Sequence, residues 1–382
     1  MNAPAIVGLG ATVMSTSPGG EAAALAAEAV GAALADCGLA RSEVDGLLVG
    51  SSQGVRPDRV GVQLAAQAGF GDLRLLEHIE IKGATTIAMV ERAVLALREG
   101  VVRTVVCVFA DAPVRARGSA GSMYAHSGGN SGVRGLERAS GLLGSVPTYA
   151  LLAARWLHVH GGAAEDLCAV ALAARAWALG NPAAVQRTPL DADGYHASPM
   201  VAEPLRRLDC ARPVNGAVAV VLAADPGVGE GARVAVRGTG RAHPVRRRRT
   251  GAESWFGGGR PAVDSALGHA GMTRGDLDLI ELYDPFTVVT LALLEEYALC
   301  LPGQAGELAR AGQLGPGGEL PTNTGGGQLS GFYLQGMTPL HEAVVQLRGA
   351  GAERQVPGAG TALVGGLGGR SDHHACLVLE AA

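Results

Sequence analysis

The chain has 382 residues, of which 48% are hydrophobic and 17% are charged, and this composition excludes an intrinsically disordered protein. The length exceeds what one small core serves, so we expect two halves of similar size in one compact unit. The formal net charge of −4 and the pI near 6.2 do not favour nucleic-acid binding. The high apolar content further predicts that apolar surface is buried between the subunits of an oligomer.

The six cysteines stand singly, without a CxxC pair or a short Cys/His spacing, so the sequence predicts neither a disulfide framework nor a metal site. The N-terminus, MNAPAIVGLGATVM, lacks the basic region of a signal peptide. No segment reaches the ~18 uncharged apolar residues that a membrane span requires. We therefore expect a cytoplasmic protein that does not bind a membrane.

Strands and helices alternate through the first part of the chain. The predicted elements are strands at Pro4–Val13, Val44–Ser51, Leu75–Ile81 and Val101–Ala110, and helices at Gly20–Cys37, at Val60–Gly69 and from Lys82-Gly83 to Gly100. In the last helix, apolar residues recur at three- and four-residue intervals, and Gly100 is its C-terminal cap. Such alternation is typical of an α/β sheet that helices cover on both faces.

The pattern breaks between about residues 113 and 202, where loop-like, glycine-rich sequence precedes two predicted helices, Thr148–His160 and Ala164–Leu179. We interpret this region as an insertion and not as a separate domain. Residues 1–230 are thus predicted to form an N-terminal half that contains the insertion, and residues 231–382 a C-terminal half.

The C-terminal half repeats the alternation of strands and helices. Its predicted elements are strands at Ala232–Gly240, Leu277–Leu282, Thr361–Gly365 and Ala375–Glu380, and helices at Ala262–Ala270, Thr287–Ala298 and Met337–Leu347. The similar order of elements in the two halves indicates an internal duplication, without a repeat at the level of residues.

One stretch in the C-terminal half, ELPTNTGGGQLSGFYLQG at Glu319 to Gly336, has the glycines and polar side chains of an active-site loop. Other characteristic segments are AIVGLGAT, ALGNPAAVQRTPLD, PLRRLDCARPVNGAVAVVL, IELYDPFT and VVQLRG. Together they span nearly the full length and resemble the thiolase superfamily, and within it the lipid-transfer or sterol-carrier-protein type of thiolase. The resemblance implies an α/β thiolase fold of five layers, α-β-α-β-α, built from two duplicated halves and normally dimeric.

The chain departs from a thiolase at both catalytic cysteines. Thiolases place a cysteine at the buried N-terminus of the helix after the third strand, where the helix dipole activates the thiolate. Gly83 stands at that place and has no side chain with which to attack an acyl group. A predicted glycine loop, Gly365–Gly369, replaces the second cysteine. Acyl transfer through a cysteine intermediate is therefore not expected.

Two tyrosines stand where thiolases carry histidines. Tyr333 in FYLQG takes the place of the histidine in the GHP motif, and Tyr283 in YDPF that of the histidine in HDxF. Paired tyrosines without a nucleophile resemble the thiolase-like aldolases that cleave steroid side chains by a retro-aldol reaction on a β-hydroxyacyl-CoA. The resemblance implies that Tyr283 and Tyr333 share the acid and base roles, and leaves open which does which. Coenzyme A enters as part of the substrate, and no other cofactor is expected.

A retro-aldol reaction also requires donors that stabilise the thioester enolate. Glycine allows close approach of backbone N–H groups, so Gly83 at its helix N-terminus and Gly368 and Gly369 in the glycine loop are predicted oxyanion donors. Asn323 is predicted either to hold a water or the substrate carbonyl, or to be an ordinary turn residue. His373 is either a proton relay beside the glycine loop or part of a solvated turn.

The run Arg246–Arg249 either binds the phosphates of coenzyme A or lies in a solvated loop. The family resemblance also implies a small partner protein with a zinc ribbon and an OB-fold domain. Two alternatives to an aldolase stay open. One is an acyltransferase or condensing enzyme with another nucleophile, for which Thr85 and Thr86 are the nearest hydroxyls, and the other is a non-catalytic subunit.

Overall fold

The computed structural model describes residues 3–50, 57–117, 123, 131–225, 227–229, 231–245, 256–369, 371 and 373–382. The strands are β1 (Ala5–Ala11), β2 (Gly46–Gly50), β3 (Leu75–Ile79), β4 (Thr104–Asp111), β5 (Met200–Ala202), β6 (Leu205–Arg206), β7 (Gly216–Ala223), β8 (Val234–Ala242), β9 (Leu279–Leu282), β10 (Thr361–Gly368) and β11 (His373–Ala381). The α-helices are α1 (Ala22–Asp36), α2 (Pro57–Gln67), α3 (Thr85–Arg98), α4 (Gly132–Ala139), α5 (Ser145–His160), α6 (Ala164–Leu179), α7 (Ala192–His196), α8 (Gly259–Ala270), α9 (Thr287–Glu296), α10 (Ala305–Arg310) and α11 (Met337–Leu347).

Within the described residues, nine strands form one mixed sheet in the order β3-β2-β4-β7-β1-β8-β11-β10-β9, and β5 pairs with β6 separately. The strands from β3 to β1 come from the first 230 residues and those from β8 to β9 from the remainder. Pairing of Ala5 with Ala235 and of Ile6 with Val234 joins the two sets. Every residue of β4 and β7 is buried, as their Val- and Ala-rich sequences lead one to expect for strands covered on both faces.

Helices α3 and α11 lie between the two sets of strands and contact both of them. Their apolar faces, with Ile87 of α3 and Val344 of α11, share one buried cluster with Leu48 of β2 and Val364 of β10. On the outer faces, α1 and α2 cover the first set of strands, and α8 and α9 cover the second. These layers form the predicted α-β-α-β-α arrangement.

The region predicted as an insertion packs on the C-terminal strands and helices. Trp156 of α5 and Leu167 of α6 belong to the same buried cluster as Val288 and Leu291 of α9. This packing brings α5 and α6 next to the segments that follow β9 and precede α11, which carry the two tyrosines.

The last hairpin differs from its prediction. β10 continues through Gly365 to Gly368, and the turn begins at Gly369, where φ is +66°. The predicted loop at Gly365–Gly369 is therefore wrong for four of its five residues, which belong to a strand paired with β11 on one side. Among the described helices, none has the length and apolarity needed to cross a bilayer.

Candidate active site

The two predicted tyrosines meet in the structure. Tyr283 directly follows β9, where its N–H donates a hydrogen bond to the Gly365 carbonyl at 2.9 Å. Its hydroxyl oxygen lies 3.0 Å from that of Tyr333, and the ring centroids are 6.4 Å apart. Tyr283 is buried and Tyr333 is partly exposed. The pair is thus close enough for a proton to pass from one hydroxyl to the other.

The segment that carries Tyr333 is anchored by the insertion. A π-helical turn, Gly327–Gly331, precedes Tyr333, and its Ser330 and Gly331 carbonyls accept hydrogen bonds from the backbone N–H groups of Gln186 and Val185. The buried guanidinium of Arg175 donates to the Ser330 hydroxyl at 3.0 Å. The family segments ALGNPAAVQRTPLD and LPTNTGGGQLSG are therefore bonded to each other.

Gly83 lies where the sequence places the lost nucleophile, in the single 3₁₀ turn (Lys82–Ala84) that leads into α3. A Cβ atom on Gly83 would lie 2.6 Å from both Cε2 and Cζ of Tyr283, and 2.3 Å from the Leu367 carbonyl oxygen. The tyrosine ring thus covers the position of a nucleophilic side chain. Cysteine chemistry at this position is sterically incompatible with the observed Tyr283.

The glycines of β10 allow the strand to approach this turn. A Cβ on Gly368 would lie 1.9 Å from the Ile81 carbonyl oxygen, and one on Gly366 would lie 2.9 Å from the Gly83 carbonyl oxygen. Gly368 and Gly83 are therefore neighbours, as the predicted oxyanion site requires. Donation by their N–H groups and by that of Gly369 to a substrate remains a prediction.

Asp284, the residue after Tyr283 in the YDPF segment, is a buried carboxyl. Its Oδ1 accepts a hydrogen bond from the Gln328 N–H at 2.8 Å. A Cβ on Gly327, where φ is +57°, would lie 2.1 Å from Oδ2, so glycine is required there. Burial raises the pKa of Asp284 to about 8, and hydrogen bonds from Gln328 and Asn323 oppose that rise.

The buried Asn323 ties the active-site loop to the end of β9. It adopts a left-handed backbone conformation, with φ of +54°, and its Oδ1 accepts a hydrogen bond from the Leu282 N–H at 2.6 Å. Its N–H donates to the Ile280 carbonyl at 2.9 Å. The Asn323 carbonyl also accepts a hydrogen bond from the Gly326 N–H at 2.9 Å, as in a turn. The predicted contact with water or substrate stays a prediction.

The charge environment of Tyr283 favours its neutral form. Burial, then the neighbouring Tyr333 and then Asp284 raise the pKa of Tyr283 well above that of a free tyrosine. The phenol is therefore protonated at neutral pH and is suited to donate a proton.

The family of this chain follows from comparison with known proteins. Residues 245–381 match the family described as Thiolase C-terminal domain-like. The chain is 32% identical to the 17-hydroxy-3-oxo-4-pregnene-20-carboxyl-CoA lyase of Mycobacterium tuberculosis, across 94% of this chain and 96% of that protein. It is 31% identical to the steroid side-chain-cleaving aldolase of Thermomonospora curvata, across 91% of this chain and 90% of that protein. This chain belongs to the thiolase-like aldolases.

The same aldolase fold appears among solved structures. The Ltp2-ChsH2(DUF35) aldolase matches with a TM-score of 0.87 at 28% identity, covering 100% of this chain and 98% of that chain. The predicted thiolase fold and the predicted carbon–carbon lyase activity are thereby confirmed. The roles of individual residues in this aldolase remain predictions.

His373 of the aldolase begins β11 and pairs with another histidine. Its Nδ1 lies 2.9 Å from the Nδ1 of His243, and the two rings meet edge to face. The adjacent His374 is fully buried between Phe256 and Tyr297, and burial lowers its pKa to about 3. The relay role of His373 stays a prediction. The run Arg246–Arg249 lies outside the described residues.

A third tyrosine, which the sequence did not single out, reaches this region from the insertion. The ring of Tyr149 on α5 stacks on Phe286, with centroids 4.6 Å apart and an angle of 24° between the planes. Burial and then the neighbouring Tyr283 raise the pKa of Tyr149. The sequence signal that could have identified this residue is an aromatic side chain, Tyr149, at the start of an otherwise small and aliphatic helix.

Proposed function

We propose that this aldolase cleaves a β-hydroxyacyl-CoA by a retro-aldol reaction, giving a ketone or aldehyde and a shorter acyl-CoA. The observation that carries the proposal is the Tyr283–Tyr333 hydroxyl pair, 3.0 Å apart, over a glycine in the nucleophile position. The names of the two relatives, a carboxyl-CoA lyase and a steroid side-chain-cleaving aldolase, support a steroid-derived thioester as the substrate.

The reaction needs no covalent intermediate. The β-hydroxyl loses its proton, its oxygen forms the new carbonyl, and the bond between the α- and β-carbons breaks. The electron pair of that bond moves towards the thioester, which gains enolate character, and a proton is delivered to the α-carbon. One proton is thus transferred from the β-oxygen to the α-carbon, without an oxidant or a reductant.

The tyrosine pair supplies a path for that proton. Tyr333, the more exposed of the two, accepts the proton of the β-hydroxyl as its own proton moves to Tyr283 and the original proton of Tyr283 moves to the α-carbon. These three transfers occur together with the cleavage of the carbon–carbon bond, so neither phenol holds two protons. Both phenols end the cycle neutral, so the relay does not require a stable phenolate in a buried site. The high pKa of Tyr283 supports its role as the final acid.

Backbone N–H groups are proposed to stabilise the enolate oxygen. Gly83 lies at the start of α3, beside Gly368 of β10, and the helix N-terminus favours negative charge. Gly369 follows in the turn, and Asn323 is the proposed side-chain contact of the substrate. His373 is the proposed outer proton relay.

Partners are proposed on two separate grounds. The name of the matching Ltp2-ChsH2(DUF35) aldolase supports a second protein in the assembly, and we propose a small zinc-ribbon/OB-fold partner. Among the residues that the structure describes, no strand pairs with the outer edge of β3 at the end of the sheet, which supports a homodimer formed across that edge. The six cysteines are free thiols, which supports a reducing, cytoplasmic location.

An acyltransferase with a hydroxyl nucleophile is less well supported. The Thr85 hydroxyl accepts a hydrogen bond from the Ile81 N–H at 2.7 Å, so it caps the 3₁₀ turn. Thr86 is fully buried in α3. A covalent acyl adduct on either threonine, detected by intact-protein mass spectrometry, would support this alternative.

The proposed function is tested by incubating the chain, alone and co-expressed with a candidate zinc-ribbon/OB-fold protein, with a tertiary β-hydroxyacyl-CoA in D₂O. The expected products are a ketone and an acyl-CoA that carries one deuterium at its α-carbon. Hydrolysis to the free acid would contradict the proposal. Lack of cleavage by the complex across a panel of β-hydroxyacyl-CoA esters would favour the non-catalytic subunit.

A further inference from the structure

Gln328 links the two segments that carry the tyrosine pair. Its backbone N–H donates a hydrogen bond to Asp284 Oδ1 at 2.8 Å, and Asp284 directly follows Tyr283. Its side-chain amide donates from Nε2 to the Gln335 carbonyl at 2.5 Å, two residues after Tyr333. One residue of the π-helical turn is thus bonded to the segment of Tyr283 on one side and to the segment of Tyr333 on the other.

The turn that the Gln328 amide holds is strained and lies against the start of α3. Gln335 is buried and has a left-handed backbone, with φ of +49°, a conformation that costs a non-glycine residue about 1–3 kcal/mol and persists where contacts hold it. A Cβ on the next residue, Gly336, would lie 2.8 Å from the Gly83 carbonyl oxygen. The Gln328 amide therefore holds the strained residue between Tyr333 and the proposed oxyanion turn.

Other contacts fix the two tyrosine segments separately. Pairing of β9 with β10 holds the backbone of Tyr283. The Thr338 hydroxyl of α11 bonds two backbone groups of the turn around Tyr333, and an isolated bridge joins Tyr333 to Pro213. None of these bonds runs from one tyrosine segment to the other, whereas the two bonds of Gln328 together do.

Stability does not explain the side-chain amide of Gln328. The residue is 1% exposed, and its Oε1 has no hydrogen-bond partner among the residues that the structure describes. An unpaired buried acceptor costs about 1–3 kcal/mol, and a methionine of similar volume would fill the same space without that cost. What the amide provides is the bond from its Nε2 to the turn that carries Tyr333.

We propose that Gln328 is a positioning residue of the aldolase, which fixes the direction of the Tyr333 phenol relative to Tyr283 through the Gln335 carbonyl. This inference rests on the proposed retro-aldol function. A displacement of about 1 Å at a catalytic group can lower a rate about 100-fold, so loss of this bond has a large effect on proton transfer between the phenols. The effect falls on kcat, because the relay acts after the substrate has bound.

Gln328→Met keeps the side-chain volume and the backbone bond to Asp284 and removes only the bond to the Gln335 carbonyl. We expect kcat to fall about tenfold with less than about a twofold change in KM. The unfolding free energy should stay within about 1 kcal/mol of the wild-type value, because the substitution removes one unpaired buried acceptor and leaves another at Gln335. Gln328→Leu, which also lacks the amide, is measured in parallel.

A second substitution tests whether Gln328 acts through the tyrosine pair. In the Tyr333→Phe background the relay is already broken, so Gln328→Met should lower kcat there by less than about twofold.

Two variants serve as controls. Gln355→Met is the matched one, since the Gln355 side-chain amide also donates to a backbone carbonyl, that of Gln346 at 2.9 Å, in the segment after α11. Tyr195→Phe removes a buried hydroxyl that is bonded to Asp209 at 2.8 Å. Both controls should leave kcat unchanged.

Wild-type kcat in the folded Gln328 variants would overturn the proposal, and so would a further tenfold loss in the Tyr333→Phe background. If the wild-type complex cleaves no ester of the panel, the proposed function fails, and the positioning role is then judged from crystal structures. We expect the distance of 3.0 Å between the Tyr283 and Tyr333 hydroxyl oxygens to be retained in the wild type and lengthened in Gln328→Met. An unchanged distance in that variant would overturn the positioning role independently of activity.

Discussion

The ring of Tyr283 fills the space into which a side chain on Gly83 would project. A Cβ at Gly83 would lie 2.6 Å from two ring atoms of Tyr283, well inside van der Waals contact. Loss of the thiolase cysteine and gain of this tyrosine are therefore one structural change. The helix start is kept, and the ring of Tyr283 occupies the space beside it.

Replacing Gly83 by cysteine should not restore acyl-enzyme chemistry. The new side chain must displace Tyr283 or the Leu367 backbone, so we expect Gly83→Cys to lose about 1–3 kcal/mol of unfolding free energy and most cleavage activity. Urea unfolding and the cleavage assay measure the two effects. Gly268→Ala on α8 is the control, because nothing lies within 4 Å of its Cβ position. A stable Gly83→Cys protein with wild-type cleavage would refute this account of the helix start.

Asp284 should make stability depend on pH. Its folded-state pKa of about 8 lies above that of an unfolded aspartate, so the protonated carboxyl stabilises the fold. This contribution to the unfolding free energy is fully present below about pH 4 and is lost as the pH rises through about 8. The unfolding free energy falls by up to about 1.4 kcal/mol per pH unit over that range. Asp284→Asn stays neutral and still accepts from the Gln328 N–H, so its stability should not decline in this way.

The Asp284 prediction is checked by urea unfolding of both proteins at several pH values from 5 to 8. The difference in unfolding free energy should shift in favour of Asp284→Asn as the pH rises. Asp264→Asn, which removes an exposed carboxyl that bonds Arg274, controls for the change in net charge. Parallel profiles for wild type and Asp284→Asn would show that Asp284 is ionised throughout this range.

Arg175 should support activity by holding the turn that precedes Tyr333. It donates to the Ser330 hydroxyl and to the Thr188 carbonyl at 2.7 Å, and so holds the turn before Tyr333. We expect Arg175→Met to lower the unfolding free energy by about 2–4 kcal/mol, since buried charged hydrogen bonds are lost. We also expect a lower kcat. Arg237→Met, which removes a partly exposed ion pair with Glu380, should cost at most about 1 kcal/mol. Equal effects of the two substitutions would argue against a special role for Arg175.

The fold and the tyrosine pair could both be predicted from the sequence, because both depend on local motifs. YDPF ends a buried strand and FYLQG precedes a helix, and the thiolase fold brings these two positions to one place. Gly83 was informative for the same reason, since the start of α3 is fixed by the strand and helix around it.

Tertiary packing determined what the sequence did not predict. Glycine usually weakens a strand, so the run in β10 indicated a loop, but the strand needs Gly368 because the Ile81 carbonyl approaches it so closely. Tyr149 was missed because the residue on which its ring stacks, Phe286, lies more than 130 residues away along the chain. The high pKa of Asp284 likewise arises from burial, which no local motif specifies.

The most direct test of the central claim is the rate of carbon–carbon cleavage by Tyr283→Phe, by Tyr333→Phe and by the double variant, with Tyr195→Phe as the folded control. If the two hydroxyls act as one relay, each single variant should lose about 10²- to 10⁴-fold in kcat, and the double variant should lose no more than either single variant. Wild-type cleavage by the folded single variants would contradict the account, and so would losses that multiply in the double variant.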